Sequence, residues 1–259
     1  KGARARSEDR AGSGYLQQGN RVGRDDFDPG ALRRRSNVMK RALIIGASGG
    51  IGAAVAMALD ARGVEVVGMS RSVNGLDVTD EASVAAHLGA LEPGFDLILC
   101  ATGALEIDGA RPEKALSALS GKAMADQFAV NCIGPALVIK HGVRLLPARG
   151  RAVMAILSAR VGSIGDNRLG GWYSYRAAKA AVNQVVHGAA IELGRSHADA
   201  ICVALHPGTV ATAFTAKYAG RHPTVSPDVA AGHLLGVIEG LSGADSGGFR
   251  DWRGDVVPW

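Results

Sequence analysis

From residue 39 onward, short apolar runs alternate with longer stretches of helical spacing. Ala42–Ile45 is an unbroken apolar run, of the kind that forms a strand buried on both faces. A glycine-rich segment, 46–52, follows it, and then an Ala-rich helical stretch over 53–61. The pattern predicts further strands at 63–68, 76–78, 95–103, 153–157 and 201–205, with long helical stretches around 124–146 and 174–194. Strands alternating with helices in this way imply a parallel sheet, because parallel neighbours need a crossover. The predicted class is α/β: a single Rossmann-fold domain over residues 39–259, a doubly wound parallel sheet with helices on both faces.

Residues 1–38 break this pattern. They lack hydrophobic periodicity, are rich in Gly and Arg, and cannot bury enough apolar surface to offset the entropy of ordering. They read as a disordered basic tail. Met39 directly precedes the first strand, which suggests a natural start there, with the tail as an extension ahead of it.

Charge changes the picture little. The 259-residue chain has a net charge of +5, but nine Lys/Arg against five Asp/Glu in the tail supply +4 of it. The rest is nearly neutral, so nothing points to a face for nucleic acid. Cys100, Cys132 and Cys202 are odd in number, lack CxxC spacing and sit in apolar runs, which suits buried free thiols in a reducing, cytoplasmic setting. No apolar run reaches the roughly 18 to 20 residues of a spanning helix, so no membrane span is expected. The seven His show no metal-ligand spacing, so no metal is expected either.

The segment 46–52 reads Gly-Ala-Ser-Gly-Gly-Ile-Gly between a strand and a helix. Glycines there permit a tight turn, admit a phosphate to the backbone and let helix and strand pack closely. The helix start offers free N–H groups and a positive dipole end to a pyrophosphate. Gly46, Ser48, Gly50, Ile51 and Gly52 are therefore candidate dinucleotide contacts. No Gly-Lys-Ser/Thr follows, so a P-loop is not supported. The second strand ends in Met-Ser-Arg-Ser, where an acid would favour NAD and an arginine accommodates the extra phosphate of NADP. Ser70 and Arg71 thus favour NADP(H), with NAD(H) as the alternative. Asp77 and Val78 are placed near the adenine. Ala101, Thr102 and Gly103 end the next strand in small residues that let a cofactor pass close to the backbone.

Gly46, Gly50 and Gly52 form a Gly-xxx-Gly-x-Gly, and Tyr175-Arg-Ala-Ala-Lys179 forms a Tyr-xxx-Lys. With both motifs in this order and context, the chain resembles the classical short-chain dehydrogenase/reductase family over residues 40–259. The wording of 170–183 and 248–254 is similar to the C-factor and sniffer-type carbonyl reductase branch. Two departures stand out: Ile45 replaces the usual Thr, and Cys-Ala-Thr-Gly at 100–103 replaces Asn-Asn-Ala-Gly.

Tyrosine is a poor acid-base catalyst near its ordinary pKa of about 10. A nearby cation would lower that value. Tyr175 and Lys179 are four apart on a predicted helix and share a face; Tyr173 does not share it. The resemblance also assigns Lys179 to the ribose hydroxyls of the nicotinamide half. Asn131 lies four residues before Pro135, which lacks an N–H, so the Asn131 carbonyl is expected to be free and the helix bent. This matches the family's catalytic Asn, which holds a water. The family also expects a serine that polarises the substrate carbonyl. Measured from Gly162, that place falls on Ala159, so Ser158 or Ser163 takes the role, or Tyr175 mainly polarises the carbonyl; Ser158 is the expected residue. Pro207, Gly208, Val210 and Thr212 resemble the family's loop beside the nicotinamide amide, and His206 reads as a packed histidine. Residues 213–227 are expected to form a mobile lid.

The resulting reading is an NAD(P)-dependent oxidoreductase acting on a small-molecule carbonyl or alcohol, as a homodimer or homotetramer by family analogy. The alternative is an NAD(P)-binding regulatory or signalling protein on the same scaffold.

Overall fold

The computed structural model describes residues 39–218 and 223–259. The expected tail, including its Arg33–Arg35 cluster, lies outside the described residues, as does the 219–222 part of the expected lid.

Six parallel strands make one sheet in the order β2-β1-β3-β4-β5-β6. They are β1 (Arg41–Ile45), β2 (Glu65–Met69), β3 (Leu97–Cys100), β4 (Ala152–Leu157), β5 (Ala200–His206) and β6 (Phe249–Asp251). Strand alternation divides the core into two layers. Ile44, Leu99, Ala155 and Val203 face α1 (Gly50–Asp60) and α7 (Pro227–Gly240). Ile45, Cys100, Ile156 and Ala204 face α3 (Glu81–Gly89), α5 (Gly134–Gly142) and α6 (Tyr173–Ser196). Every residue of β3 and β4 is buried, which is why these strands read as unbroken apolar runs. The doubly wound class expected from the sequence is thus the observed one.

Two strand assignments change. Leu76–Val78, expected as a strand, is irregular, although Leu76 and Val78 are buried. Its apolar residues serve helix packing: a Cβ on Gly134 would come 2.9 Å from Val78 Cγ2, so glycine at the start of α5 is what admits Val78. Conversely, Phe249–Asp251 adds an edge strand against β5 that three residues of mixed polarity did not announce.

The chain leaves β1 for β2 on one side and reaches β3 on the other. This reversal opens a crevice at the carboxyl ends of β1 and β3, the place where dinucleotides bind in such sheets. Gly46 begins its wall at φ +90°, and a Cβ there would lie 3.0 Å from the Ala101 carbonyl carbon. Gly52 is tighter still: its Cβ would lie 2.2 Å from Gly46 O. Alanine in a helix gains up to about 1 kcal/mol over glycine. At Gly52 the neighbour is backbone, and overpacking costs about 1–3 kcal/mol, so the clash dominates. Gly188 in α6 meets nothing within 4 Å. Gly52→Ala is therefore predicted to lower unfolding free energy in urea by about 1–3 kcal/mol, and Gly188→Ala to raise it by about 0.5–1 kcal/mol. Equal effects of the two substitutions would contradict this account of the turn.

Candidate active site

The glycine turn is closed by its own backbone. Gly46 and Ala47 both donate to Met69 O, at 2.7 and 3.1 Å, and Gly49 donates to Gly46 O at 3.0 Å. Ser48 and Gly50 stay exposed at the rim, Ile51 is half-buried and Gly52 is buried. Thr212 reaches this rim from across the crevice: a Cβ on Gly50 would come within 2.6 Å of its methyl. Val210 is buried and pairs with Val225, while Gly208 at φ +79° leaves room for Trp252. Pro207 precedes that turn. Backbone therefore lines this part of the crevice, with the Thr212 methyl against Gly50.

At the end of β2 the two expected contacts differ in kind. Ser70 is buried and caps α2 (Arg71–Asn74), its hydroxyl accepting from Val73 N. The exposed Arg71 is the residue that presents charge. Asp77 is turned onto Thr79, whose hydroxyl and N–H donate to it at 2.7 and 2.9 Å. Those bonds, with Arg71 adding to them, hold its carboxyl below the usual range.

The small residues after β3 meet the chemistry. Ala101 donates to Ile45 O at 2.8 Å, and the Thr102 hydroxyl lies 3.2 Å from Cys100 Sγ. A Cβ on Gly103 would lie 3.0 Å from Asn131 Oδ1 and 3.7 Å from Lys179 Nζ. Asn131 is fully buried; its amide donates to Ala104 O at 2.8 Å and to Gln127 Oε1 at 2.7 Å, and its Oδ1 accepts from Ala104 N. Its side chain thus pins the crevice wall. Between α4 (Gly121–Phe128) and α5 the helix does not break at Pro135; it widens into a π turn over Ala129–Ile133, closed by Gly134 N–H on Ala129 O. Such insertions accommodate a missing N–H within a continuing helix.

Tyr175 and Lys179 sit one turn apart on the buried face of α6, with Nζ 5.8 Å from the phenol ring centroid. The Lys179 ammonium is buried and donates to Leu157 O at 2.9 Å. Only glycine fits beside it, since a Cβ on Gly162 would come 2.7 Å from Lys179 Cβ. Burial acts on both groups. It pushes the Tyr175 phenol above its ordinary value and pulls Lys179 down to about 8. The expected lowering of the tyrosine by its lysine is thus outweighed in the protein alone, because desolvation disfavours both charged forms.

Ser158 follows directly on β4 and is buried. Met154 and Ile156 face the α6 layer, and Ser158 continues their alternation. Its hydroxyl donates to Asn183 Oδ1 at 2.6 Å in a buried contact. Ser163 is also buried; its oxygen accepts from Asp166 N at 3.0 Å, which leaves its own proton free. His206 is largely buried and held down at about 4 by that burial, as a packed neutral histidine.

Several contributors carried no local signal. Trp172 lies edge-on to Tyr175, with centroids 6.2 Å apart, and to Tyr218, at 5.6 Å; Phe214 is 6.3 Å from Tyr175. Glu106 accepts from Tyr218 and Lys217, tying residues 213–218 to the loop after β3. Gln127, four before Asn131, was within reach of helical spacing. A cavity of about 590 Å³ along α7 and β6 shares none of these residues.

This assembly has counterparts. The model of the short chain dehydrogenase family matches residues 40–222, and the chain belongs to the short-chain dehydrogenase/reductase family. It is 32% identical over 236 residues to 1-hydroxy-2-glutathionyl-2-methyl-3-butene dehydrogenase of a Rhodococcus species, covering 85% of this chain and all of the relative. It is 36% identical over 137 residues to C-signal of Myxococcus xanthus, covering 52% of this chain and 78% of that one. A short-chain dehydrogenase/reductase from Burkholderia multivorans, solved with bound NADP, aligns over 86% of this chain and 100% of its own, at 27% identity and a TM-score of 0.71. The chain is thus an NAD(P)-dependent dehydrogenase or reductase. Among the described residues no helix is long and apolar enough to cross a membrane.

The pH dependence follows from Lys179. Lowered to about 8, the buried group is an ammonium below that pH and a neutral amine above it. The profile of kcat/KM for NADPH reports the free enzyme. It is predicted to be level near pH 7 and to fall as pH rises through about 8. A profile flat to about pH 10 would show that Lys179 is not titrating in this step.

Proposed function

We propose that the protein reduces an apolar carbonyl compound with NADP(H), Tyr175 giving the proton to the carbonyl oxygen. The observation that carries this is the buried Tyr175–Lys179 pair, with Lys179 converging on Gly103 at the end of the glycine-walled sheet edge. When bound, the nicotinamide supplies the hydride. Gly46, Ser48, Gly50, Ile51 and Gly52 would hold its pyrophosphate, and Arg71 supports the choice of NADP(H) over NAD(H). Asp77 and Val78 would flank the adenine, and Ala101, Thr102 and Gly103 the ribose side. Pro207, Gly208, Val210 and Thr212 would hold the nicotinamide end.

The chain's own groups do the rest. A phenol kept neutral by burial is a proton donor over the ordinary pH range. Lys179, held by Leu157 O, supplies the cation that favours the phenolate left behind. Asn131, through its freed carbonyl, would place a water on the route to Lys179. Ser158, from its contact with Asn183, would help Tyr175 to polarise the carbonyl, with Ser163 as the alternative hydroxyl. Phe214, Trp172 and Tyr218 supply apolar walls, which favours an apolar substrate.

Residues 39–259 would form the catalytic domain, with 1–38 as a tail. Ile133 and Ile191, on the two long helical stretches, are 49% and 55% exposed, which supports association into a homodimer or homotetramer. The likeness to C-signal favours a second reading, a nucleotide-binding signalling protein, but a pure binder has no need of Tyr175 beside a buried lysine.

NADPH oxidation over a panel of apolar aldehydes and ketones tests the proposal, with a glutathionylated alcohol in the reverse direction. The wild type is predicted to turn over at least one member, and Tyr175→Phe to lose at least about 100-fold in kcat while still binding NADPH. Tight NADPH binding with no turnover would favour the signalling reading.

A further inference from the structure

The helix that carries Tyr175 starts without a cap of its own. Trp172 occupies the N-cap position at φ +52°, in the left-handed region, and its side chain makes no capping bond. Gly170 and Gly171 precede it at φ +63° and +65°, so three successive residues enter the helix in a left-handed conformation. A non-glycine residue held there is strained and persists only where its surroundings fix it. The first N–H groups of the helix also need acceptors from outside.

Both needs are met by one distant residue, Glu113, in the loop between β3 and α4. It is 6% exposed. Its main-chain carbonyl accepts from Trp172 N at 2.5 Å, which fixes the left-handed residue. Its Oε2 accepts from Ser174 N at 3.2 Å, and its Oε1 accepts from the Ser174 hydroxyl. A Cβ on Gly171 would lie 3.3 Å from Glu113 O, so the close approach also depends on glycine. Ser174 immediately precedes Tyr175, and Trp172 is the aromatic neighbour of both Tyr175 and Tyr218.

We propose that Glu113 is a positioning residue for the proton donor: its carboxylate caps α6 in place of the missing local cap and so sets where the Tyr175 phenol stands. This rests on the reading of Tyr175 given above. The same loop is held at Ala104 by Asn131 and holds the lid segment through Glu106. One connection thus aligns the crevice wall, the lid and the proton donor. Glu113 has no bond to the glycine turn or to Lys179, so its loss acts on proton transfer and spares cofactor affinity. A buried carboxylate costs desolvation unless it is hydrogen-bonded, and here both oxygens are.

The test is kinetic, on the full chain with NADPH and the best ketone of the panel. Displacement of a reacting group by about 1 Å costs about 100-fold. Glu113→Ala is expected to lower kcat by about 10- to 100-fold, to leave the Kd for NADPH within about threefold, and to raise the solvent deuterium isotope effect on kcat. Glu113→Gln keeps an acceptor for Ser174 N–H and a donor for its hydroxyl oxygen, so it is expected to recover kcat to within about threefold of wild type. Should Glu113→Ala not fold, Ser174→Ala, which keeps the backbone bond, is expected to lower kcat by about three- to tenfold at unchanged Kd. A parental kcat in folded Glu113→Ala, or in Ser174→Ala where the first does not fold, overturns the proposal. Tyr175→Phe separates the two levels. If it is inactive while Glu113→Ala is not impaired, only the positioning role falls; if it retains parental turnover, the reading beneath falls.

Discussion

The site depends on one buried ammonium. Lys179 lies under the carboxyl end of β4 with its charge held by the Leu157 carbonyl, and a cation in that position is tolerated only when it is hydrogen-bonded. The rest follows from making room for it. Gly162 must be glycine because Lys179 passes against it, and a Cβ on Gly103 would crowd Asn131 Oδ1 at 3.0 Å. Helix α6 then packs on β5, with Tyr175 one turn earlier on the same buried face. Burial holds the phenol neutral and brings the amine near the working pH, so that each group can change its proton state when charge appears beside it.

The crevice is equally a consequence of topology. The reversal of strand order between β2-β1 and β1-β3 leaves the two carboxyl ends open, and glycines at 46, 50 and 52 keep side chains out of the opening. Thr212 closes on that turn from the far side.

What the sequence made legible was local or periodic. Unbroken apolar runs revealed β1, β3, β4 and β5, because a parallel sheet buries both faces. Helix phase separated buried Tyr175 from half-buried Tyr173. Pro135 marked the irregular turn beside Asn131, although the helix accommodated it as a π turn and did not break. What stayed hidden was non-local. Leu76–Val78 carried apolar residues for a helix contact and so resembled a strand. Glu113 lies far along the chain from the helix it caps, and no spacing rule connects them. The contact of Ser158 with Asn183, on a different element, likewise carries no local signal.

In the proposed reaction, hydride transfer is coupled to a proton from Tyr175 that Lys179 makes available. The most direct measurement follows deuterium from NADPH labelled at both C4 hydrogens into the product alcohol by mass spectrometry, for the wild type and for Lys179→Met. The account predicts label on the carbinol carbon, formed at least about 100-fold more slowly in a folded Lys179→Met protein. Product without label, or equal rates in the two proteins, would contradict it.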